Sequence, residues 1–506
     1  MKKKKILDSV VLVFLITMLA KIMGLAKDMV FAYYWGTSNL TDAYTMAFFI
    51  PNNVISIIST GITTCFLPIY IESRNKEGIN SANKYASNVI NTIVLFCIVA
   101  SSIFFVFTEP VLRILAPGFD KTTMEVTASL TRISIFQIFA IGVISVFTCM
   151  LQANRKYFLV TVGSTLVPIL TCIGTIIGGR NSIKWVTLFG TIGYFTEALM
   201  LLYVLIKDGY GYTSYISFKD GNIKETYRLM IPTIIGSSAS EISKMADRII
   251  GSLMAAGSVT MLTYANRIDD TLITLFSTSV VSLAYPAITA AVNDRNTNTK
   301  KIEKSINDYA ILLMMLAIPI SLVAIVYSQD IIGLLYKRGN FDSDSAAVTS
   351  KIFRAYAAGI IFFTIRKFVN RVFYAFHDTK TPTVNSMLSI AINIVLSVIL
   401  GHIMGVTGIA WGTTISAIIA AIMLIYSCRK HIPNYNYKIL LVALGKLCLA
   451  AGTCTFISRA VYSIIESRIN YYLLCGVTAV IGVSVYVAML IVLDMKHYLI
   501  MLKARH

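Results

Sequence analysis

Apolar residues run through this chain in stretches of about 20, the length that crosses ~30 Å of hydrocarbon as an α-helix, and short polar segments part them. Matching these runs against turn signals predicts about 14 membrane-spanning helices. Their approximate cores are 6–34, 43–70, 87–107, 128–151, 157–179, 185–206, 229–254, 262–291, 308–327, 350–376, 384–404, 408–428, 438–460 and 470–493. The predicted fold is all-α, a polytopic membrane protein.

The charged loops support an even number of spans. If the N-terminus is cytoplasmic, alternate loops receive Lys2 to Lys5; Arg74, Lys76 and Lys84; Arg155 and Lys156; Lys207, Lys219, Lys224 and Arg228; Arg295, Lys300, Lys301 and Lys304; Lys380; Arg429, Lys430 and Lys438; and Lys496, Lys503 and Arg505. Cytoplasmic loops of membrane proteins collect Lys and Arg, so both termini are expected inside. The opening MKKKKILDSV could pass for the start of a signal peptide. No small-residue cleavage site follows and the apolar run is too long to be removed, so it is expected to stay as the first helix.

The pattern also repeats. "LAPGFDKTTMEVTASLTRIS" (115–134) parallels "YKRGNFDSDSAAVTSKIFRAY" (336–356), pairing Phe119, Asp120 and Arg132 with Phe341, Asp342 and Arg354 at one constant spacing. Asp28, Gly36, Tyr44 and Pro68 run parallel to Asp247, Gly257, Tyr264 and Pro286 at nearly the same spacing. Helices 1–6 and 7–12 therefore read as two parallel six-helix repeats followed by two C-terminal helices. The expected domains are an N-terminal bundle at 1–210, a second bundle at 211–432 and the extra helices 13 and 14 at 433–506. Parallel repeats are related by an axis along the membrane normal and place a substrate site between them.

Composition sharpens the class. The chain of 506 residues is 56% hydrophobic and only 14% charged, against about 25% charged in soluble proteins. Its net charge of +19 is accounted for by cytoplasmic loops rather than by nucleic-acid binding, and no nucleic-acid partner is expected. The eight cysteines lie mostly in apolar runs without CxxC pairs, and the five histidines are scattered; neither disulfides nor a confident metal site is implied. No phosphate-binding loop, nucleophile elbow or paired-carboxylate pattern is present. The chain does not read as an enzyme.

Charge inside the apolar runs carries the functional signal. "KIMGLAKDMVFAYYWGTSNLTDAY" (21–44) puts Lys21, Lys27 and Asp28 into helix 1, where an unpaired charge facing lipid costs several kcal/mol. Lys21 and Asp28 share a face about 10 Å apart, with Gly24 between them and Lys27 about a quarter turn away. One acid for two bases leaves a basic surplus. Helix 7 reads "SEISKMADRII", with Glu241, Lys244 and Arg248 on one stripe and Asp247 beside it. Helix 8 adds Arg267, Asp269 and Asp270, and helix 10 adds Arg366, Lys367 and Arg371. Some of these have plainer readings. Opposite charges three apart on helix 7 form a self-neutralising ladder, while Arg371, Lys367 and the solitary Lys446 lie where long side chains snorkel to the interface. The remaining surplus on helices 1, 7, 8 and 10 predicts a wet, cationic cavity between the repeats, suited to a phosphate or pyrophosphate.

Further motifs follow one another along the chain: "KIMGLAKD" in helix 1, "GTSNLTDAY" after it, "IPN" at 50–52, "FLPI" at 66–69, "APGF" at 116–119, "YANR" at 264–267, "RGNF" at 338–341 and "DTKTP" at 378–382. In these stretches the chain resembles a known family, the lipid II flippases (MurJ, formerly MviN), within the superfamily that also holds multidrug extruders and polysaccharide-lipid exporters. The resemblance implies a flippase that moves an undecaprenyl-diphosphate-linked glycan, the peptidoglycan precursor lipid II, across the bacterial cytoplasmic membrane by alternating access. It implies contact or gating roles at the diphosphate for Lys21, Lys27, Asp28, Asp42 and Arg267, and it implies that helices 13 and 14 cradle the lipid tail. The family has arginines at the positions of Lys21 and Lys27. Its helix 2 carries an arginine pair and a glutamate where this chain has Ile55, Ser56 and Thr60. Further cavity charges are expected from Glu241, Lys244, Asp247, Arg248 and Arg366. A coupling cation, sodium or proton, is expected in place of a cofactor, with Asp247 and Asn393 as candidate site members. Cell-wall synthesis proteins are candidate partners. A sister exporter of a capsule or teichoic-type lipid-linked glycan, a cation-coupled drug extruder and a non-transporting scaffold are the competing readings.

Overall fold

The structure is a computed structural model and describes residues 2–293, 299–433, 435–466, 470–495 and 497–498. Among these residues every regular element is helical. In chain order they are α1 (Lys2–Trp35), α2 (Asn39–Glu77), α3 (Ile79–Val106), α4 (Thr108–Leu115), α5 (Lys121–Ser134), α6 (Gln137–Ala153), α7 (Tyr157–Gly178), α8 (Ile183–Lys207), α9 (Gly221–Ser252), α10 (Ser258–Asn293), α11 (Thr299–Val326), α12 (Ser328–Tyr336), α13 (Ser343–Ala375), α14 (Lys380–Met404), α15 (Val406–Ser427), α16 (Tyr437–Ile465) and α17 (Tyr471–Val492), with a 3₁₀ turn at Cys428–Lys430.

Every predicted span finds a helix, the fourth being α5 and α6 in tandem. Among the described residues 11 helical stretches are long and apolar enough to cross a bilayer. The other three predicted spans are α1, α9 and α10, of 34, 32 and 36 residues, which hold the charged stretches. Two short helices, α4 and α12, were not predicted, because eight or nine residues leave too few turns for an apolar period to show. They occupy equivalent places in the repeat, each just ahead of the related "GF" or "GNF" loop. Asp120 and Asp342 then cap the following helices. Asp120 accepts the Thr122 N–H at 3.2 Å and Asp342 the Ser345 N–H at 2.8 Å. Hydrogen bonds from Thr122 and Thr123 hold the Asp120 carboxyl down to about 2, and those from Ser345 hold Asp342 below the usual carboxylate range.

The chain forms two compact units, Met1–Tyr264 with Leu335–Ala346, and Ala265–Leu334 with Ala347–His506. In the first, Ile55, Phe66, Tyr70, Ile93, Phe147 and Met150 pack into a core drawn from α2, α3 and α6. The polar residues of "SANKYASNVINT" (81–92) recur on the face of α3 that receives the segment 208–220. Asn88 donates to the Ser217 carbonyl at 3.1 Å and accepts the Ser217 N–H at 3.0 Å. Ser87 accepts the Thr213 N–H at 3.1 Å, and Asn91 donates to the Tyr215 carbonyl at 3.0 Å. Beyond local main-chain bonds such as Tyr215 N–H to the Thr213 carbonyl at 2.8 Å, this strap draws its partners from side chains of α3.

One end of the same unit is interlocked by main-chain contacts. The Asn340 N–H donates to the Tyr33 carbonyl at 2.9 Å, and the Asn340 amide to the Tyr34 carbonyl at 2.6 Å. Gly339, at φ +63°, lies so close that a Cβ would overlap the Tyr33 carbonyl. Gly118 stands in the same relation to the Ser252 carbonyl at the end of α9. Each repeat thus sends a glycine-bearing loop onto the end of the other repeat's first helix, the close approach that only glycine permits.

In the second unit Met315, Phe368, Phe373, Leu424 and Leu447 build a core between α11, α13, α15 and α16. The last two helices are pinned to α12 through Asp330. Arg459 reaches its carboxylate at 3.0 Å, Tyr462 donates to it at 3.0 Å, and Tyr471 donates to its carbonyl at 2.8 Å. Lys446 donates to the Leu493 carbonyl just beyond α17 at 2.9 Å, so this solitary lysine satisfies a helix end rather than simply reaching for water.

Candidate functional site

Helix α1 packs along α7, and its charged stretch lies in the half of the helix next to α2. Lys27 Nζ lies 2.8 Å from Asp28 Oδ1, with the two side chains only 19% and 8% exposed. The close ion pair therefore joins neighbours in sequence. Lys21 is half-buried two turns earlier on the same helix. A buried acid drawn to an adjacent base is neutralised where it stands.

"GTSNLTDAY" makes the turn from α1 to α2. Ser38 is the N-cap of α2. It accepts the Thr41 N–H at 3.4 Å, while its own N–H donates to the Thr41 hydroxyl at 2.8 Å. This is a capping box with threonine in the glutamate's place. Thr37 and Ser345 share a hydroxyl hydrogen bond of 2.5 Å. Asp42 is fully buried. Its Oδ2 accepts the Gly257 N–H at 2.8 Å, and its Oδ1 accepts the Thr260 N–H at 2.8 Å and the Thr260 hydroxyl at 2.7 Å. The carboxylate is thus committed to the N-terminus of α10, where unpaired N–H groups and the helix dipole favour an anion.

On α9 the ladder is partly real. Lys244 lies 3.1 Å from Glu241, with the lysine half exposed. Arg248 lays its guanidinium over the Phe49 ring at 3.9 Å. Asp247 is buried. On α10, Arg267 and Asp270 are exposed and Asp269 is buried. Asp269 Oδ1 has no hydrogen-bond partner among the described residues.

On α13, Arg366 donates to the hydroxyls of Ser389 and Ser386 of α14, each at 3.1 Å. Arg371 lies over the rings of Tyr285 and Tyr374, the stacking of a snorkelling arginine. Asn393 is almost completely buried and donates to Ser397 at 3.2 Å and Thr413 at 3.1 Å. Asp247 falls in the first unit and Asn393 in the second. No group of three or more His, Cys, Asp or Glu side chains able to hold a metal occurs among the described residues.

The helix 2 positions that differ from the family pattern range from buried Ile55 through half-buried Ser56 to exposed Thr60. Ile55 is fully buried, Ser56 donates to the Asn53 carbonyl at 3.1 Å, and Thr60 to the Ser56 carbonyl at 2.9 Å. The "DTKTP" motif forms a polar knot at the start of α14. Asp378 accepts the Thr381 N–H at 3.0 Å and its hydroxyl at 2.8 Å, and pairs with Lys430 at 2.9 Å and His431 at 3.0 Å. Burial pushes its carboxyl up, but these four contacts outweigh burial and hold it below the usual range.

Sequence reading passed over one residue. Glu197 sits in the apolar run of α8 and is 6% exposed. No hydrogen bond or ion pair to its carboxyl occurs among the described residues. Thr191 and Tyr194 precede it at three-residue steps, Thr191 accepting from Gln137 at 3.0 Å and Tyr194 donating to Asn52 at 3.1 Å. A lone glutamate between apolar flanks was the available signal, since ionisable residues inside a span mark function by default.

The comparisons with known proteins agree with these motifs. The sequence profile of the family Lipid II flippase MurJ matches residues 31–482. The probable lipid II flippase MurJ of Thermotoga maritima is 26% identical over 445 residues, 88% of this chain and 89% of that protein. The lipid II flippase MurJ of Thermosipho africanus is 28% identical over 425 residues, 84% and 86% of the two chains. A solved structure of lipid II flippase MurJ in an inward closed conformation shares the fold at a TM-score of 0.80 and 26% identity, over 95% of this chain and 98% of that one. With the profile running from the end of α1 into α17, the chain belongs to the lipid II flippase MurJ family.

Proposed function

We propose that this protein is a flippase. It carries lipid II, the undecaprenyl-diphosphate-linked peptidoglycan precursor, from the inner to the outer leaflet of the bacterial cytoplasmic membrane, with both termini in the cytoplasm. The observation that carries this reading is family membership over nearly the whole chain. The side chains supply its chemistry. Lys21 and Lys27 on α1 and Arg267 on α10 are the cations that would meet the diphosphate, with Glu241, Lys244, Asp247, Arg248 and Arg366 shaping the field around it. Lysine binds phosphate as a point charge, without the two-pronged fit of arginine.

Translocation needs no bond made or broken, only a site reached from one leaflet and then the other. Parallel six-helix repeats (1–210 and 211–432) followed by helices 13 and 14 suit such rocking. The interlock at Tyr33, Thr37, Gly339, Asn340 and Ser345 would be the contact that parts when the outward path opens. A membrane potential does about 2.3 kcal/mol of work per charge per 100 mV. A coupling cation, sodium or proton, at Asp247 or Asn393 would add its own gradient.

The deciding experiment depletes a bacterium's own lipid II flippase while this chain is expressed. Survival with labelled lipid II appearing on the outer face supports the proposal. Lysis despite full expression overturns it in favour of an exporter of another lipid-linked glycan, a reading that Ile55, Ser56 and Thr60 in place of charged side chains would favour.

A further inference from the structure

We propose that the second unit holds a binding site for an anionic glycerophospholipid, with an acyl chain in a cavity between α11, α13, α15 and α16 and the phosphate against Arg429 and Lys438. The cavity measures about 670 Å³, and its walls, among them Leu313, Phe368, Phe373, Ile425 and Leu444, are apolar almost throughout. That size is typical of a ligand cavity, roughly 300–1,000 Å³. Two lining residues, Ile422 and Leu441, are 57% and 64% exposed, so the space opens on an apolar flank that faces lipid in a membrane. Water gains no partners on such walls, and an empty space loses the dispersion contacts of its lining. An acyl chain from the adjacent leaflet satisfies both.

The polar end of the cavity identifies the headgroup. His431, Tyr435 and Tyr437 line it there, and the flanking cations Arg429, Lys430 and Lys438 are exposed. Lys430 is engaged by Asp378 at 2.9 Å. Arg429 and Lys438 have no carboxylate partner among the described residues. Arg429 is held over the rings of Tyr426 at 5.0 Å and Tyr437 at 5.8 Å, so its guanidinium is fixed beside a ring that itself lines the cavity. Tyr437 in turn donates to the Ile425 carbonyl at 3.1 Å. Aromatic side chains at headgroup level and basic pockets between spanning helices are the features that hold anionic lipids. Such lipids surround the protein in large excess over any lipid-linked sugar, and mass action favours the abundant occupant.

The test titrates the purified full-length protein in detergent with dioleoyl phosphatidylglycerol or dioleoyl phosphatidylcholine, counting bound lipids by native mass spectrometry. Phosphatidylglycerol is expected to be retained preferentially. The double variant Arg429→Gln/Lys438→Gln, both positions being exposed, is expected to bind it at least tenfold more weakly, with two cations lost near the surface, and to melt unchanged in the absence of lipid. Leu444→Trp, which fills the cavity, is expected to abolish retention. Equal binding of both lipids, or undiminished binding by the double variant, overturns the site. Displacement of phosphatidylglycerol one-for-one by undecaprenyl phosphate would also overturn it, by giving the cavity to the substrate's tail.

Discussion

Asp42 and Thr260 are joined twice: the Asp42 carboxylate accepts the Thr260 backbone N–H at 2.8 Å and the Thr260 hydroxyl at 2.7 Å. An acid at the start of one long helix thereby caps the start of another. Removing a cap costs about 1–2 kcal/mol, and buried N–H groups left without an acceptor add to that. Asp42→Ala is expected to lower the melting temperature of the purified protein. Asp42→Asn, which keeps one acceptor oxygen, is expected to lie between it and the parent. A melting temperature unchanged in Asp42→Ala would contradict the capping role.

The Thr37–Ser345 hydroxyl contact offers a direct probe of rocking. With Oγ atoms 2.5 Å apart, the double substitution Thr37→Cys/Ser345→Cys should form a disulfide under mild oxidation. If the interlock must part in each cycle, the oxidised protein will stop delivering lipid II to the outer face and reductant will restore delivery. Full transport by the cross-linked protein, verified by gel shift, would rule out that movement.

Lys27 has two separable roles, neutralising Asp28 and meeting an anionic substrate. Lys27→Gln removes the base 2.8 Å from a buried carboxylate, and breaking a buried pair typically costs 3–5 kcal/mol. Lys27→Gln/Asp28→Asn removes both charges and should recover folding. If Lys27 contacts the diphosphate, this double variant will express and melt normally yet transport at least tenfold more slowly, whereas Lys27→Arg stays active. Recovery of transport in the double variant would leave Lys27 only the neutralising role.

The Asp378 knot predicts an acid limb to stability. Its carboxyl is held below the ordinary value, which is ~3.9 in an unfolded chain. Its contribution is therefore complete above that ordinary value and is lost as pH falls through the lower folded one. Melting temperatures between pH 6 and pH 2 should fall more steeply for the parent than for Asp378→Asn. At neutral pH the variant should be less stable by about 1–2 kcal/mol. Parallel curves would dissociate the knot from acid stability.

Family membership and the helical fold were legible because the bilayer imposes a length on every span, and motifs such as "GTSNLTDAY" and "RGNF" keep fixed places in chain order. Individual site residues were less legible. The one-acid, two-base count on α1 was readable, but the 2.8 Å contact between Lys27 and Asp28 was not, because which rotamers meet depends on the packing around the helix. The resemblance gave Asp42 a contact or gating role at the diphosphate, and its hydrogen bonds to Gly257 and Thr260 were not legible, since those partners lie far along the chain. Glu197 escaped notice as one letter in an apolar run.

The sequence by itself determined the helical membrane class, the order of the long apolar helices and the placing of two lysines beside one aspartate on α1, because hydrophobic periodicity and charge placement are local properties that lipid and water read directly. Tertiary structure alone decided which of those charges are spent. The cap from Asp42 to α10, the glycine contacts at Gly118 and Gly339, the strap on α3 and the cavity beside Tyr437 each join residues remote in the chain, and such contacts exist only once packed helices bring them within a few ångströms.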